Sequence, residues 1–136
     1  MIKKFELIGE PNEYGLRQIK YLRDLPGIDK GDLGGWLEKE ENLDQDGNAR
    51  VFGNARVFGD AWVSGDADWM VAGPIGSRDS HTTITKGKNG DIVFCGCFSG
   101  SIDKFLAQVE KTHGDNAHAR AYKAMIEMWK ARQETV

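Results

Sequence analysis

Residues able to do chemistry are few in this chain and lie far apart. Cys95 and Cys97 are separated by one residue. On a strand, alternate side chains share a face, so the two sulfurs could meet and, with His113 and His118, complete a zinc site. Structural zinc more often uses Cys-x₂₋₄-Cys spacing, and packed, reduced cysteines are the competing reading. A nucleophilic cysteine would need a base and a lowered pKa, and the sequence shows neither. The segment Gly76-Ser77-Arg78, with Thr82 close behind, points to other chemistry. A glycine-containing turn presents backbone N–H groups, and a guanidinium adds a bidentate donor for phosphate or carboxylate. The same residues also read as a plain connecting loop, and they match no standard phosphate-loop pattern. No residue stands out as catalytic, and no cofactor is called for.

Between these scattered groups lies a strict repeat. From Gly47 the chain reads GNARVF, GNARVF, GDAWVS and GDADWM. Glycine falls at 47, 53, 59 and 65, followed each time by Asn or Asp and then by alanine; valine occupies 51, 57 and 63, with Trp69 in the last such slot. Gly-Asn and Gly-Asp turn a corner through positive φ at little steric cost. The Ala-x-Val that follows is a short strand whose alternate residues point to one side. Alanine and valine should therefore face inward, and Arg50, Phe52, Arg56, Phe58, Trp62 and Ser64 outward. A helix is excluded by a glycine in every unit. The expected fold is mainly β: a short left-handed β-solenoid of hexapeptide repeats over residues 31–72, followed by a small ββαα tail over residues 73–136. Leu37 and Leu43 extend the register backward, and Gly31, Gly34 and Gly35 are expected at its corners.

The flanks supply the remaining elements. In residues 1–30, Phe5–Ile8 and Ile19–Leu22 read as strands that cap the open end of the repeat. In the tail, a loop over 73–78 leads to a strand at Thr82–Thr85, a turn at Lys88–Asp91 and a second strand from Ile92 to Phe98. Ser101 is placed to cap a first helix and Gly114 to end it, and a second helix starts near Asn116 with Ala121, Met125 and Met128 on one side and Tyr122, Ile126 and Trp129 broadening its apolar surface. Arginine and aromatic residues together are enriched at interface hot spots, so Arg50, Phe52, Arg56, Phe58 and Trp62 form a candidate protein-binding stripe. Cover of Phe52 and Phe58 by the tail helices is the alternative. A short repeat with open ends also favours homo-oligomers.

The formal charge of −3 argues against direct nucleic-acid binding. Basic residues such as Lys3, Lys4 and Arg17 read as solvated. No apolar run is long enough to span a membrane, and two cysteines so close together fit a reducing cytoplasm.

The segments GDLGGWLEKEENL (31–43), GPIGSR (73–78) and GCFSGSI…KTHGDN (96–116), together with the GNARVF repeats, resemble a family of small proteins from bacteriophage and prophage genomes. The resemblance covers most of residues 16–130. It implies a protein acting in the cytoplasm of a bacterial host, and brings no catalytic residues with it. The expectation is a non-enzymatic protein that blocks a host factor, foremost a defence component in the manner of an anti-CRISPR inhibitor. Two alternatives remain: a sponge for a nucleotide-like immune signal, using Gly76, Ser77, Arg78 and Thr82, and a degenerate hexapeptide acyltransferase with His81 as the nearest base.

Overall fold

A computed structural model describes residues 3–53, 55–59, 61–65, 68–96 and 98–135. Its eight strands make two four-stranded sheets, and two helices follow them. The first sheet has the order β1 (Phe5–Ile8), β2 (Arg17–Tyr21), β3 (Leu33–Leu37), β4 (Arg56–Val57). Its first two pairings are antiparallel and the last is parallel. The second sheet runs in sequence order through β5 (Trp69–Ile75), β6 (Ser80–Thr85), β7 (Ile92–Cys95) and β8 (Phe98–Ser101), all antiparallel.

This arrangement overturns the expected solenoid. Among the described residues the repeat gives the first sheet only Arg56–Val57, pairs elsewhere through single bridges, Leu43 with Val63 and Ala61 with Gly87, and ends in Trp69 and Met70 of β5. Trp36 lies opposite Arg56, Leu37 opposite Val57 and Leu43 opposite Val63, a step of 20 residues. That is two residues more than three hexapeptides, and a 3₁₀ turn at Glu40–Asn42 interrupts the segment in between. Of the strands in residues 1–30, β1 pairs with β2 and β2 with β3, so that with the parallel β3–β4 pair the sheet is mixed.

The inward and outward assignment nevertheless holds. Ala49, Val51, Ala55, Val57, Ala61 and Val63 are all buried, with Leu37 and Leu43 beside them. Gly47, Gly53 and Gly59 have φ of 72°, 64° and 64°, as corners require. Gly34 and Gly35 are not corners. They sit inside β3, where an added Cβ on Gly34 would come within 2.7 Å of the Val51 carbonyl and one on Gly35 within 2.6 Å of the Val51 side chain.

So few neighbouring strands leave much of the repeat backbone to be satisfied by side chains, since buried N–H and C=O groups are rarely left unpaired. The Tyr21 hydroxyl donates to the Val51 carbonyl (2.7 Å) and accepts from the Val51 N–H (2.9 Å). The buried Asn42 amide donates to the carbonyls of Ala61 (2.8 Å) and Gly59 (3.2 Å). Lys4, expected to be solvated, is fully buried and donates from Nζ to the Ala49 carbonyl at 2.8 Å. Polar side chains from outside the repeat thus add to the backbone bonds that Gly35, Trp36, Glu38 and Asp44 donate to it.

The tail also differs from the expected ββαα. The last repeat slot, Trp69, opens β5, and the first half of the presumed 73–78 loop, to Ile75, continues that strand before a turn. The expected single strand over 92–98 is broken: Cys95 pairs with Phe98 across a reversal at Gly96 (φ 58°). The helices match the sequence closely. In α1 (Ile102–His113) the Ser101 side chain accepts from the Lys104 N–H, and Gly114 caps the end at φ 64°. In α2 (Ala117–Glu134) Asn116 caps the start. Its buried face is Ala119, Tyr122, Met125, Ile126 and Trp129, while Ala121 and Met128 point to solvent.

Several contacts join the two sheets. Phe58 stacks on Phe94 with ring centroids 3.7 Å apart, the Arg56 N–H donates to Thr83 Oγ1, and the Trp62 N–H donates to the Lys86 carbonyl. Phe94 belongs to the core under the repeat, whereas its strand neighbour Val93 packs with the helices. No helix of the described residues is long and apolar enough to cross a membrane.

Candidate functional site

The five residues of the expected stripe separate into distinct environments. Phe58 is spent on Phe94, so β7 covers it and the helices do not. The Arg56 guanidinium lies 4.6 Å from the Tyr14 ring centroid and reaches the Gly96 carbonyl at 3.4 Å. Arg50 donates to the Pro26 carbonyl and stands 5.9 Å from the Phe52 ring. Phe52 remains half-exposed, edge-on to Trp69 at 5.0 Å.

Trp62 is as open as Phe52, with 46% of its surface exposed against 48%. Its neighbours Ala61 and Val63 are buried, so the backbone beneath the indole is fixed. The side chain forms one wall of a groove of about 520 Å³ whose other lining includes Glu41, Leu43, Asp44, Gln45 and Lys88. Glu40 also reaches this groove, but it is already engaged: Lys3 lies 3.0 Å away and Gln45 donates to it. Those two hydrogen bonds, Lys3 foremost, hold its carboxyl below the usual glutamate range. Glu41 and Asp44 are the carboxylates beside Trp62 that a visiting group would meet.

A second constellation lies where the β5–β6 turn meets the helices. Ser77 and Arg78 in that turn face Cys95 at the end of β7, with Gln108, Thr112 and His113 from the last turns of α1 and Tyr122 from α2. They surround a cavity of about 260 Å³. Two separate sequence candidates, the Gly76–Arg78 turn and Cys95 with His113, therefore converge in space. Thr82 does not belong here as expected; it is fully buried and its hydroxyl donates to Cys95 Sγ at 3.3 Å. Gly76 (φ 81°) is buried beneath Tyr122, and any Cβ there would collide with the tyrosine hydroxyl.

Cys95 Sγ in turn lies 3.8 Å from the Tyr122 hydroxyl. Burial first, and then the Cys95 thiol, push the Tyr122 phenol up to about 12, against the opposite pull of Arg78. The hydroxyl therefore keeps its proton at neutral pH. His113 and His118 sit with ring centroids 5.3 Å apart. Cys97, the fourth expected metal ligand, lies outside the described residues; among those described, no group of three or more His, Cys, Asp or Glu could hold a metal ion. His81 is a half-buried residue of β6. Tyr122, Gln108 and Thr112 were missed from the sequence, where the 3.6-residue period assigns Tyr122 simply to an apolar face.

Compared with family models, with curated proteins and with solved structures, the chain matches none.

Proposed function

We propose that the protein is a non-enzymatic binding protein that occupies a partner protein through the Trp62 groove. The observation that carries this reading is a half-exposed indole, fixed by buried neighbours, beside the carboxylates of Glu41 and Asp44. Exposed tryptophan on rigid backbone is the residue type most enriched at interface hot spots. Carboxylates beside an aromatic face favour a lysine or arginine side chain, which can stack on the ring while its charge is matched. The partner segment is therefore basic.

The likeness of residues 31–43, 73–78 and 96–116 to phage-encoded proteins makes a bacterial host factor the expected partner, and the host cytoplasm the place of action. A defence component, such as a nuclease effector complex, is the foremost candidate. The test is recovery of bound proteins from bacterial lysate by wild type, Trp62→Ala and the Glu41→Lys/Asp44→Lys pair. A partner captured by wild type, released by salt and lost from both variants supports the reading. Equal recovery by all three overturns it.

A further inference from the structure

We propose that the cavity between the β5–β6 turn and the two helices is a binding site for the phosphate group of a small phosphorylated ligand, with Arg78 as its principal contact. This site is separate from the Trp62 groove and independent of the partner proposed for it.

The lining is rich in donors. Arg78 offers a planar fork of N–H groups suited to two phosphate oxygens at once. Thr112 Oγ1 already accepts from Gln108 Nε2 at 2.9 Å, which leaves its own hydrogen free to donate. Ser77 supplies a second aliphatic hydroxyl, and Tyr122, protonated at neutral pH, a phenolic one. The described residues lining the cavity include no carboxylate, although acidic residues outnumber basic ones, 21 to 18, in the chain as a whole. A site selected merely for solubility would not be expected to exclude the commoner charge.

The positions are set by the fold. Arg78 is carried by the short turn between paired strands, with Ile75 opposite Ser80. Its Nη1 lies against Gly96, 3.2 Å from where a Cβ would stand, so the glycine gives it room. Tyr122 is fixed edge-on to Phe105 at 5.4 Å and nearly parallel to His113 at 6.1 Å. The end of α1 carries partial negative charge, which alone would disfavour an anion. Lys111 in that last turn acts against it. The volume limits the occupant to a phosphate with a modest organic group, for which Phe98 offers an apolar wall.

The probes are inorganic phosphate and AMP, titrated into the full chain and followed by calorimetry and by NMR shifts of the His113 and Tyr122 rings. Binding of both probes is expected, AMP the tighter. Arg78→Gln should weaken it by about 10- to 100-fold, and Tyr122→Phe by a smaller factor. Arg120→Gln, which removes a nearby exposed charge outside the cavity, should leave affinity unchanged. Absence of binding by wild type, or equal binding by wild type and Arg78→Gln, overturns the proposal. So does an equal loss in Arg78→Gln and Arg120→Gln, since that would report net charge alone. Both substitutions are at exposed positions, and an unchanged circular dichroism spectrum confirms that each variant folds.

Discussion

In the repeat segment the buried side chains are alanine and valine, and backbone closes the space around them: β3 approaches so near that Gly34 and Gly35 have no room for a Cβ. In the helical half the buried residues are Phe105, Tyr122, Met125, Ile126 and Trp129, and large rings close the space. The repeat's alanines and valines point into a core shared with Phe5, Tyr21 and Phe94, so recognition by the repeat falls to what projects outward, Phe52 and Trp62. Large, irregular side chains fit together less evenly, and the gap they leave beside Arg78 and Tyr122 is where polar groups collect. The same contrast sets how each half should fail.

The largest effect is expected in the helical half. Trp129 is almost fully buried, and its indole N–H donates to Asp91 at 2.9 Å. Trp129→Ala should cost about 3–5 kcal/mol in urea unfolding. Because Phe58–Phe94 and the Arg56–Thr83 bond couple the sheets, far-UV dichroism and tryptophan fluorescence should still report one transition. Two separated transitions would mean the halves fold independently. Gly34→Ala probes the other half. Its added methyl meets the Val51 carbonyl and the Tyr21 ring, both at 2.7 Å, and should cost about 1–3 kcal/mol. Since φ there is not positive, the cost is purely one of space; a neutral outcome would remove backbone closeness as the feature that distinguishes this half.

The smallest effect appears only in alkali. The folded pKa of Tyr122, near 12, lies above the ordinary tyrosine value of about 10. A raised pKa means that folding favours the protonated phenol. Its contribution to stability is complete below about pH 10 and disappears as pH rises through about 12. The urea midpoint of wild type should fall more steeply across that window than that of Tyr122→Phe, and ultraviolet titration of the variant should lack one phenol step near pH 12. Parallel midpoint curves would contradict the burial assigned to this hydroxyl.

What the sequence revealed follows the range of the interactions involved. Alternation in the repeat depends on local geometry, so the inward set from Ala49 to Val63 was readable, as were the caps Ser101, Gly114 and Asn116. Strand partners depend on distant residues. The antiparallel pairing of β1–β3, the burial of Lys4 against Ala49 and the joining of Phe58 to Phe94 have no local signature. The candidate sites divide in the same way. Arg78 and Trp62 could be singled out by type, whereas Thr82, on the same face as Cys95 and bonded to its sulfur, is buried too deeply to line the cavity. Tyr122 was hidden for the opposite reason: from sequence it looked like any other apolar position on α2.

The pairing of β3 with the repeat has a consequence for how such a chain can change length. Six is an even number, so gaining or losing one whole GNARVF unit leaves every alanine and valine facing the same way. An insertion of a single residue between Gly53 and Val57 would exchange faces from that point, turning Phe58 toward the interior and Val57 toward water. Length variants of this segment should therefore be tolerated in whole hexapeptides and rejected at one or three residues. The repeat works as a ratchet on insertions and deletions.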